Sequence, residues 1–310
     1  MGYLKYIFKR LVSLIFVLLG VTFIVFMIMS LAPGDPARVI LGYFATPEAV
    51  ETLREEMGLN APVLVQYGRY MMNALRGDLG VSYRTNLPVL TEILSRFPNT
   101  LYLTLTAVFV STILAIPLGI VAAVKQNTIF DSSSMVLALI GISMPTFWLG
   151  ILLILLFALQ LGWLPSFGAD ELRSIILPAL TLALVNMASI ARTTRSATLE
   201  VIRQDYIRTA RAKGLSYNVV IRRHAVKNAM IPTMTMIGLI IGSLLGGAIV
   251  VETVFAWPGV GRLLIQSIGA LDTPMVLGCI ILFSASFSIV NLIVDLLYGL
   301  VNPRIRSQYT

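Results

Sequence analysis

The side chains with the greatest capacity for chemistry are cations, and they are concentrated in one stretch. Across 199–232, Arg203, Arg208, Arg211, Lys213, Arg222, Arg223 and Lys227 are set against only Glu200 and Asp205. Nothing nearby completes a catalytic set. The chain has no G-x-x-x-x-G-K-S/T phosphate loop and no H-E-x-x-H, C-x-x-C or G-x-S-x-G. It also has no acidic pair suited to magnesium, so it is expected neither to hydrolyse ATP unaided nor to act as an enzyme. One histidine, His224, sits in the basic stretch, and one cysteine, Cys279, sits in an apolar run. A lone cysteine excludes an internal disulfide, and no metal site or cofactor is expected in this chain. What remains is recognition.

The basic stretch has the local signals of two short helices. Val201, Tyr206, Ala210 and Gly214 come close to one helical face in steps of four or five. Gly214 reads as a helix C-cap and Ser216 as the N-cap of the next helix. Small residues at the bend (Ala210, Ala212, Gly214) and a cationic rim make a surface that another protein's backbone can approach closely.

Composition says where this surface lies. Of 310 residues, 57% are hydrophobic and only 12% charged, with a mean hydropathy of +0.87. A soluble domain carries about a quarter charged, so the chain belongs in a membrane. The net charge of +8 could suggest nucleic acid, but its distribution excludes that. The N-terminal Lys5, Lys9 and Arg10, then Lys125, the cations of 192–227, and Arg304 and Arg306 all fall on one side of the spans. That is the positive-inside pattern, and it places both termini in the cytoplasm.

Six apolar spans follow in order: Leu11–Leu31, Phe97–Val124, Ser132–Leu161, Ser174–Ala191, Asn228–Val251 and Thr273–Val301. The first is too long for a signal-peptide core, since 21 residues at about 1.5 Å each cross a roughly 30 Å bilayer core. It is expected to be an uncleaved span. The third is interrupted at Met144-Pro145, whose freed carbonyls need partners inside the protein. Between the first two spans lies the long polar interval Ala32–Arg96, expected outside. It opens with a rigid APGDP turn; Thr46-Pro47-Glu48 starts a helix that Gly58 stops, and a second helix covers Pro62–Leu75. This interval is either a docking or lid element or a folded cap on the first span.

Three features remain open on the residues alone. Gly238, Gly242 and Gly246 stand four apart, a pattern for close helix packing, within this chain or against a partner. Asp295, in an apolar span, either pairs with Arg304 or Arg306 or serves transport. Glu252 and the rigid Trp257-Pro258-Gly259 form either a gate element or an interfacial turn.

Several of these stretches resemble one family. PGDP (33–36), RGDLG (76–80), YIRTARAKGL (206–215), RHAVKNAMIP (223–232), ETVFAWPGVG (252–261) and VDLLYGLVNPRIR (294–306) are similar to permease subunits of binding-protein-dependent ABC importers of the dipeptide/oligopeptide/nickel type. The basic stretch resembles their cytoplasmic coupling loop. It departs from the general loop by carrying Arg208 and Thr209 at the eponymous acidic and first alanine positions, and a proline only at Pro232. The peptide branch shares that form.

The resemblance implies an all-α integral membrane protein with six transmembrane helices, like type I ABC importer permeases, and a helical extracytoplasmic segment after the first span. Its expected organisation is 1–96 (first span and outer segment), 97–301 (five-helix core with the coupling loop 199–232) and 302–310 (cytoplasmic tail). Expected partners are a homologous second permease in a heterodimer, two cytoplasmic ABC ATPase subunits, an extracytoplasmic substrate-binding protein and the lipid bilayer of the inner cell membrane, with no nucleic acid. ATPase coupling would fall to Asp205, Tyr206, Arg208, Thr209, Ala210, Arg211, Ala212, Lys213, Gly214 and Arg222. Glu252, Trp257, Pro258 and Gly259 would form the outer gate. The implied cargo is a dipeptide, oligopeptide or glutathione-like peptide, with a chelated metal such as nickel as the alternative. A secondary transporter or channel is the rival class, but it normally needs intramembrane charges, and here Asp295 alone is clearly intramembrane.

Overall fold

A computed structural model describes residues 2–42 and 44–301. The uncharged run after the basic N-terminus forms α1 (Gly2–Leu31), and most of its described side chains face outward, as a lipid-facing span requires. Its polar Thr22 is buried, accepting or donating to Tyr67 Oη at 3.0 Å and bonding Leu18 O at 2.6 Å.

The outer interval folds as α2 (Pro36–Leu41), α3 (Pro47–Glu56) and α4 (Val63–Leu75). The expected helix start at Thr46 is present, with its Oγ1 accepting from Ala49 N at 3.3 Å. Gly58 stops that helix with φ +68°. The APGDP turn also initiates a helix, because Asp35 accepts from Ala37 N (3.0 Å) and Pro36 takes the first turn. Asp35 also pairs with Arg54 at 3.0 Å, tying the start of α2 to α3. Tyr67 on α4 sets its ring 5.3 Å from Phe23 and 5.5 Å from Phe26, which seats the cap on the first span.

α5 (Val89–Val124) is longer than the apolar run predicts, and it crosses the expected 96/97 boundary without a break. At about 1.5 Å per residue it extends some 54 Å, well beyond the hydrocarbon. The extra turns are held because Val89 and Ile93 are buried against Val260, Leu263 and Met275. The third span is two helices, α6 (Ile129–Ser143) and α7 (Thr146–Leu153, continuing as a π-helix to Gln160), bent by 101°. Pro145 lacks an N–H and pushes Met144 to extended backbone (φ −76°, ψ 129°), which ends α6.

α8 (Ile176–Ile202) runs eleven residues past the expected end of the fourth span. The basic segment then folds as α9 (Asp205–Ala212), α10 (Tyr217–Val219) and a π-helical stretch Val220–Ala225. It leads into α11 (Val226–Gly247), α12 (Ile249–Val254), α13 (Val260–Gly269) and α14 (Thr273–Val301). Among the described residues five helices are long and apolar enough to cross a membrane, or six with the bent pair counted as one span. Three apolar clusters follow one another along the bundle: one from Val89 to Phe283 that includes α13, a central one around Leu103, Leu182 and Phe255, and one inside the 199–232 loop.

Two close approaches explain glycines. A Cβ on Gly119 would lie 2.5 Å from Ala191 O, where α5 meets α8. On Gly238 it would lie 2.1 Å from Val294, and on Gly242 3.2 Å from Phe287. The small-residue face of α11 is therefore occupied within the chain, by α14.

Candidate functional site

α9 is separate from α8, because the chain bends at Arg203-Gln204 and Gln204 takes the N-cap position in extended backbone. Val201 therefore belongs to the end of α8 and does not share a helix with Tyr206, contrary to the sequence reading. Gly214 caps α9 as expected: φ is +78°, and its N–H donates to Arg211 O at 2.9 Å. Ser216 occupies the next N-cap position through its backbone, whose carbonyl accepts from Val219 N and Val220 N; its hydroxyl makes no cap bond.

The loop has its own core. Ile207, Ala210, Val220, Ile221 and Ala225 are buried together, against Ile120 and Val124 from α5 and Val201 and Ile202 from α8. Ala210 thus faces inward, and its small side chain lets α9 pack closely on the π-helical stretch. The remaining candidates, Asp205, Tyr206, Arg208, Thr209, Arg211, Ala212, Lys213, Gly214 and Arg222, are exposed. Tyr206 Oη accepts from Asn228 Nδ2 at 2.8 Å, so the first turn of α9 is tied to α11. Arg211 stacks over the Tyr217 ring at 5.7 Å, across the glycine bend. The result is a cationic knob packed on the end of α8 through its apolar core and tied to α11 through Tyr206.

A partly buried ion pair that the sequence does not single out sits next to this knob. Arg195 on α8 grips Asp131 on α6 with two bonds, Nε–Oδ1 at 2.6 Å and Nη2–Oδ2 at 2.7 Å. Asn127 N adds a third bond to Asp131 at 3.0 Å. The pair spans 64 residues of sequence, and no local pattern announces it. It fixes the inner half of the broken span to the helix that enters the coupling loop.

Glu252, Trp257, Pro258 and Gly259 are brought together, but as an enclosed clasp. Glu252 is fully buried; its carboxylate accepts from Thr100 Oγ1 (2.7 Å) and Arg262 N (3.0 Å) at the start of α13. Thr100 Oγ1 in turn accepts from Val260 N at 2.9 Å. Trp257 Nε1 donates to Asn99 O (3.1 Å), and Asn99 Nδ2 donates to Pro258 O (3.0 Å). Only glycine fits at 259, where a Cβ would sit 2.3 Å from the Glu252 carboxylate. Burial raises the Glu252 pKa, opposed by the donors from Thr100 and from the Arg262 and Gly261 N–H groups. These residues lock α5, α12 and α13 together; their side chains are not presented on a surface.

A second outer clasp was not foreseen. Asp272, fully buried, accepts from Ser82 Oγ (2.5 Å) and Tyr83 N (3.1 Å), and so joins the end of the outer segment to the start of α14. Asp295 pairs with Arg10 of α1. The expected partners Arg304 and Arg306, like the tail 302–310, lie outside the described residues. Cys279 is buried in the outer apolar cluster. Among the described residues no three metal-ligating side chains come together.

A helical bundle with one broken apolar pair and a cationic knob at one end defines a multi-pass membrane protein. The comparisons give its family. Residues 115–307 match the family "Binding-protein-dependent transport system inner membrane component", and 3–104 match the N-terminal component of the same systems. The chain belongs to this family. It is 45% identical over 331 residues to the dipeptide transport system permease protein DppB of Alkalihalophilus pseudofirmus, covering 98% of this chain and 99% of that one. It is 48% identical over 303 residues to the glutathione transport system permease protein GsiC of Escherichia coli strain K12, with the same coverage. Among solved structures, a chain of the inward-facing MetNI methionine ABC transporter shares the fold, with TM-score 0.59 and 20% identity over 68% of this chain and 96% of that chain. A chain of an amino acid ABC transporter gives TM-score 0.52 at 16% identity, over 69% of this chain and 94% of that one.

Proposed function

We propose that this chain is one of two homologous permeases of a peptide importer in the inner cell membrane, served by two cytoplasmic ATPases and an extracytoplasmic binding protein. Both termini would face the cytoplasm, where the described cations concentrate. Near-complete alignment at 45–48% identity with dipeptide and glutathione permeases carries the reading. The loop geometry supports the coupling step. α9 and the Gly214 bend would enter a cleft of an ATPase, with Arg208, Arg211, Lys213 and Arg222 on its rim and Ala212 and Gly214 at the closest approach. Ala210 would act from inside, by keeping α9 seated. Closure of the ATPases on ATP would push this knob, and the continuous helices on either side would transmit the motion into the bundle. Glu252, Trp257, Pro258 and Gly259 would brace the outer end of the path, so that α12 and α13 move as one piece.

The test is to co-express the chain with its partner permease, ATPases and binding protein, and to purify through a tag on this chain. Two ATPases per permease pair and uptake of L-alanyl-L-alanine or glutathione into proteoliposomes are expected. A chain that purifies without ATPases, or a complex that moves neither peptide, refutes the proposal.

A further inference from the structure

The break in the third span opens a half-enclosed cavity of about 280 Å³, away from the 199–232 loop. Its walls come from the first turn of α7 (Thr146, Phe147), from α8 (Val185, Asn186), and from Leu244 and Val250 of α11 and α12. At about 30 Å³ per water, it has room for roughly nine. Asn186 lies ten residues into α8, about 15 Å along the helix and near the middle of a roughly 30 Å hydrocarbon layer. Asn186 is half-buried, so its amide faces the cavity and not a packed interior. Asn186 Nδ2 donates to Leu182 O at 2.8 Å, and no described residue donates to its Oδ1. Thr146 is the other polar side chain in the lining, and no charged residue contributes to it.

An uncharged cavity with one vacant amide acceptor suits a particular ligand chemistry. Every peptide with a non-proline residue after its first offers a backbone N–H whatever its side chains, whereas a charged wall would retain some peptides and repel others. The cavity is also open on one flank, where Phe147 is 49% and Val250 47% exposed. A second permease would have to supply that wall.

We infer that this cavity holds the backbone of a peptide during passage, with Asn186 Oδ1 accepting a peptide N–H. The inference rests on the peptide-import reading above. It makes the membrane site indifferent to side-chain identity and leaves that selection to the binding protein.

The test uses the assembled complex in proteoliposomes with two probes, L-alanyl-L-alanine and its ester analogue L-alanyl-L-lactate, in which oxygen replaces the internal N–H. Loss of one hydrogen bond predicts that Asn186→Leu slows dialanine uptake about 3- to 10-fold, but slows the ester less than about 2-fold. Asn186→Gln, which keeps the amide, should recover part of the dialanine rate. Equal slowing of both probes would mean that Asn186 serves only packing, and no slowing of either would mean that peptide does not use this cavity; each overturns the inference. If Asn186→Leu does not co-purify with the ATPases, Asn186→Ala supplies the same two-probe comparison. A wild-type complex that moves neither dialanine nor glutathione overturns the peptide reading and this inference together, whereas an active wild type with a silent Asn186→Leu overturns the inference alone.

Discussion

Gly214 allows the coupling role to be separated from the folding of the loop. Its φ of +78° lies in the left-handed region, and a Cβ there would meet nothing within 4 Å. Any L-residue at 214 therefore costs backbone strain, roughly 1–2 kcal/mol, without a clash inside the chain. That strain is shared by Gly214→Ala and Gly214→Arg. At tenfold per 1.4 kcal/mol, both should raise local opening of the α9 end about 5- to 30-fold, while the buried Ile207–Val220 core holds the rest of the loop. The two substitutions differ only in what projects beyond the chain. If an ATPase seats against the bend, Gly214→Arg must lose far more than Gly214→Ala. The assay is the ratio of ATPases retained on tagged permease, together with ATP hydrolysis stimulated by loaded binding protein. Gly214→Ala is expected to keep the ATPases bound with reduced stimulation, and Gly214→Arg to release or uncouple them. Ala212→Arg, on exposed helix without positive φ, should behave like Gly214→Arg. Equal behaviour of Gly214→Ala and Gly214→Arg would refute the contact.

Three further outcomes follow from packing and charge. Gly238→Ala places a methyl 2.1 Å from Val294 and should lower the stability of the detergent-solubilised complex by about 1–3 kcal/mol; adding Val294→Ala should recover part of it, and strict additivity would contradict the contact. Asp131→Asn leaves Arg195 without its bidentate partner, a loss of up to about 3–5 kcal/mol, whereas Asp131→Leu with Arg195→Met should be less damaging than either single change, by thermal unfolding. Burial raises the folded-state pKa of Glu252 above its ordinary value, so its contribution to stability is fully present below the unfolded carboxylate pKa and is lost as pH rises through the raised one. Glu252→Gln should remove that slope; an unchanged difference between wild type and variant from pH 4.5 to 8 would show that the carboxylate does not titrate in the clasp.

Much of the site was legible because it is local. The Gly214 cap, the Thr46 helix start and the Pro145 break each depend on backbone preferences within a few residues, and each appears where the sequence puts it. Reading failed where local polarity and tertiary burial diverge. α5 starts at Val89 although Arg96 and Glu92 lie in its path, because Val89 and Ile93 are covered by α13 and α14. Ala210 looked like a contact residue by its small size, yet its size serves the loop's own core. Tyr206 was visible as an aromatic on α9, but nothing near it in sequence indicates Asn228 as its partner.

The residues alone, taken in order, establish that the chain crosses a membrane about six times and that its cations cluster in one stretch between two spans. Those conclusions follow from transfer free energies and charge counts, which are sums over residues and need no neighbours. Which polar side chains meet depends on the tertiary fold: Arg195 with Asp131, Asp272 with Ser82, and Glu252 with Thr100 and the start of α13. A buried polar group must find a partner in a low-dielectric interior, but the identity of that partner depends on which helices lie side by side. The glycines show the same division, since their spacing announced close packing and only the fold showed that α14 already fills the groove.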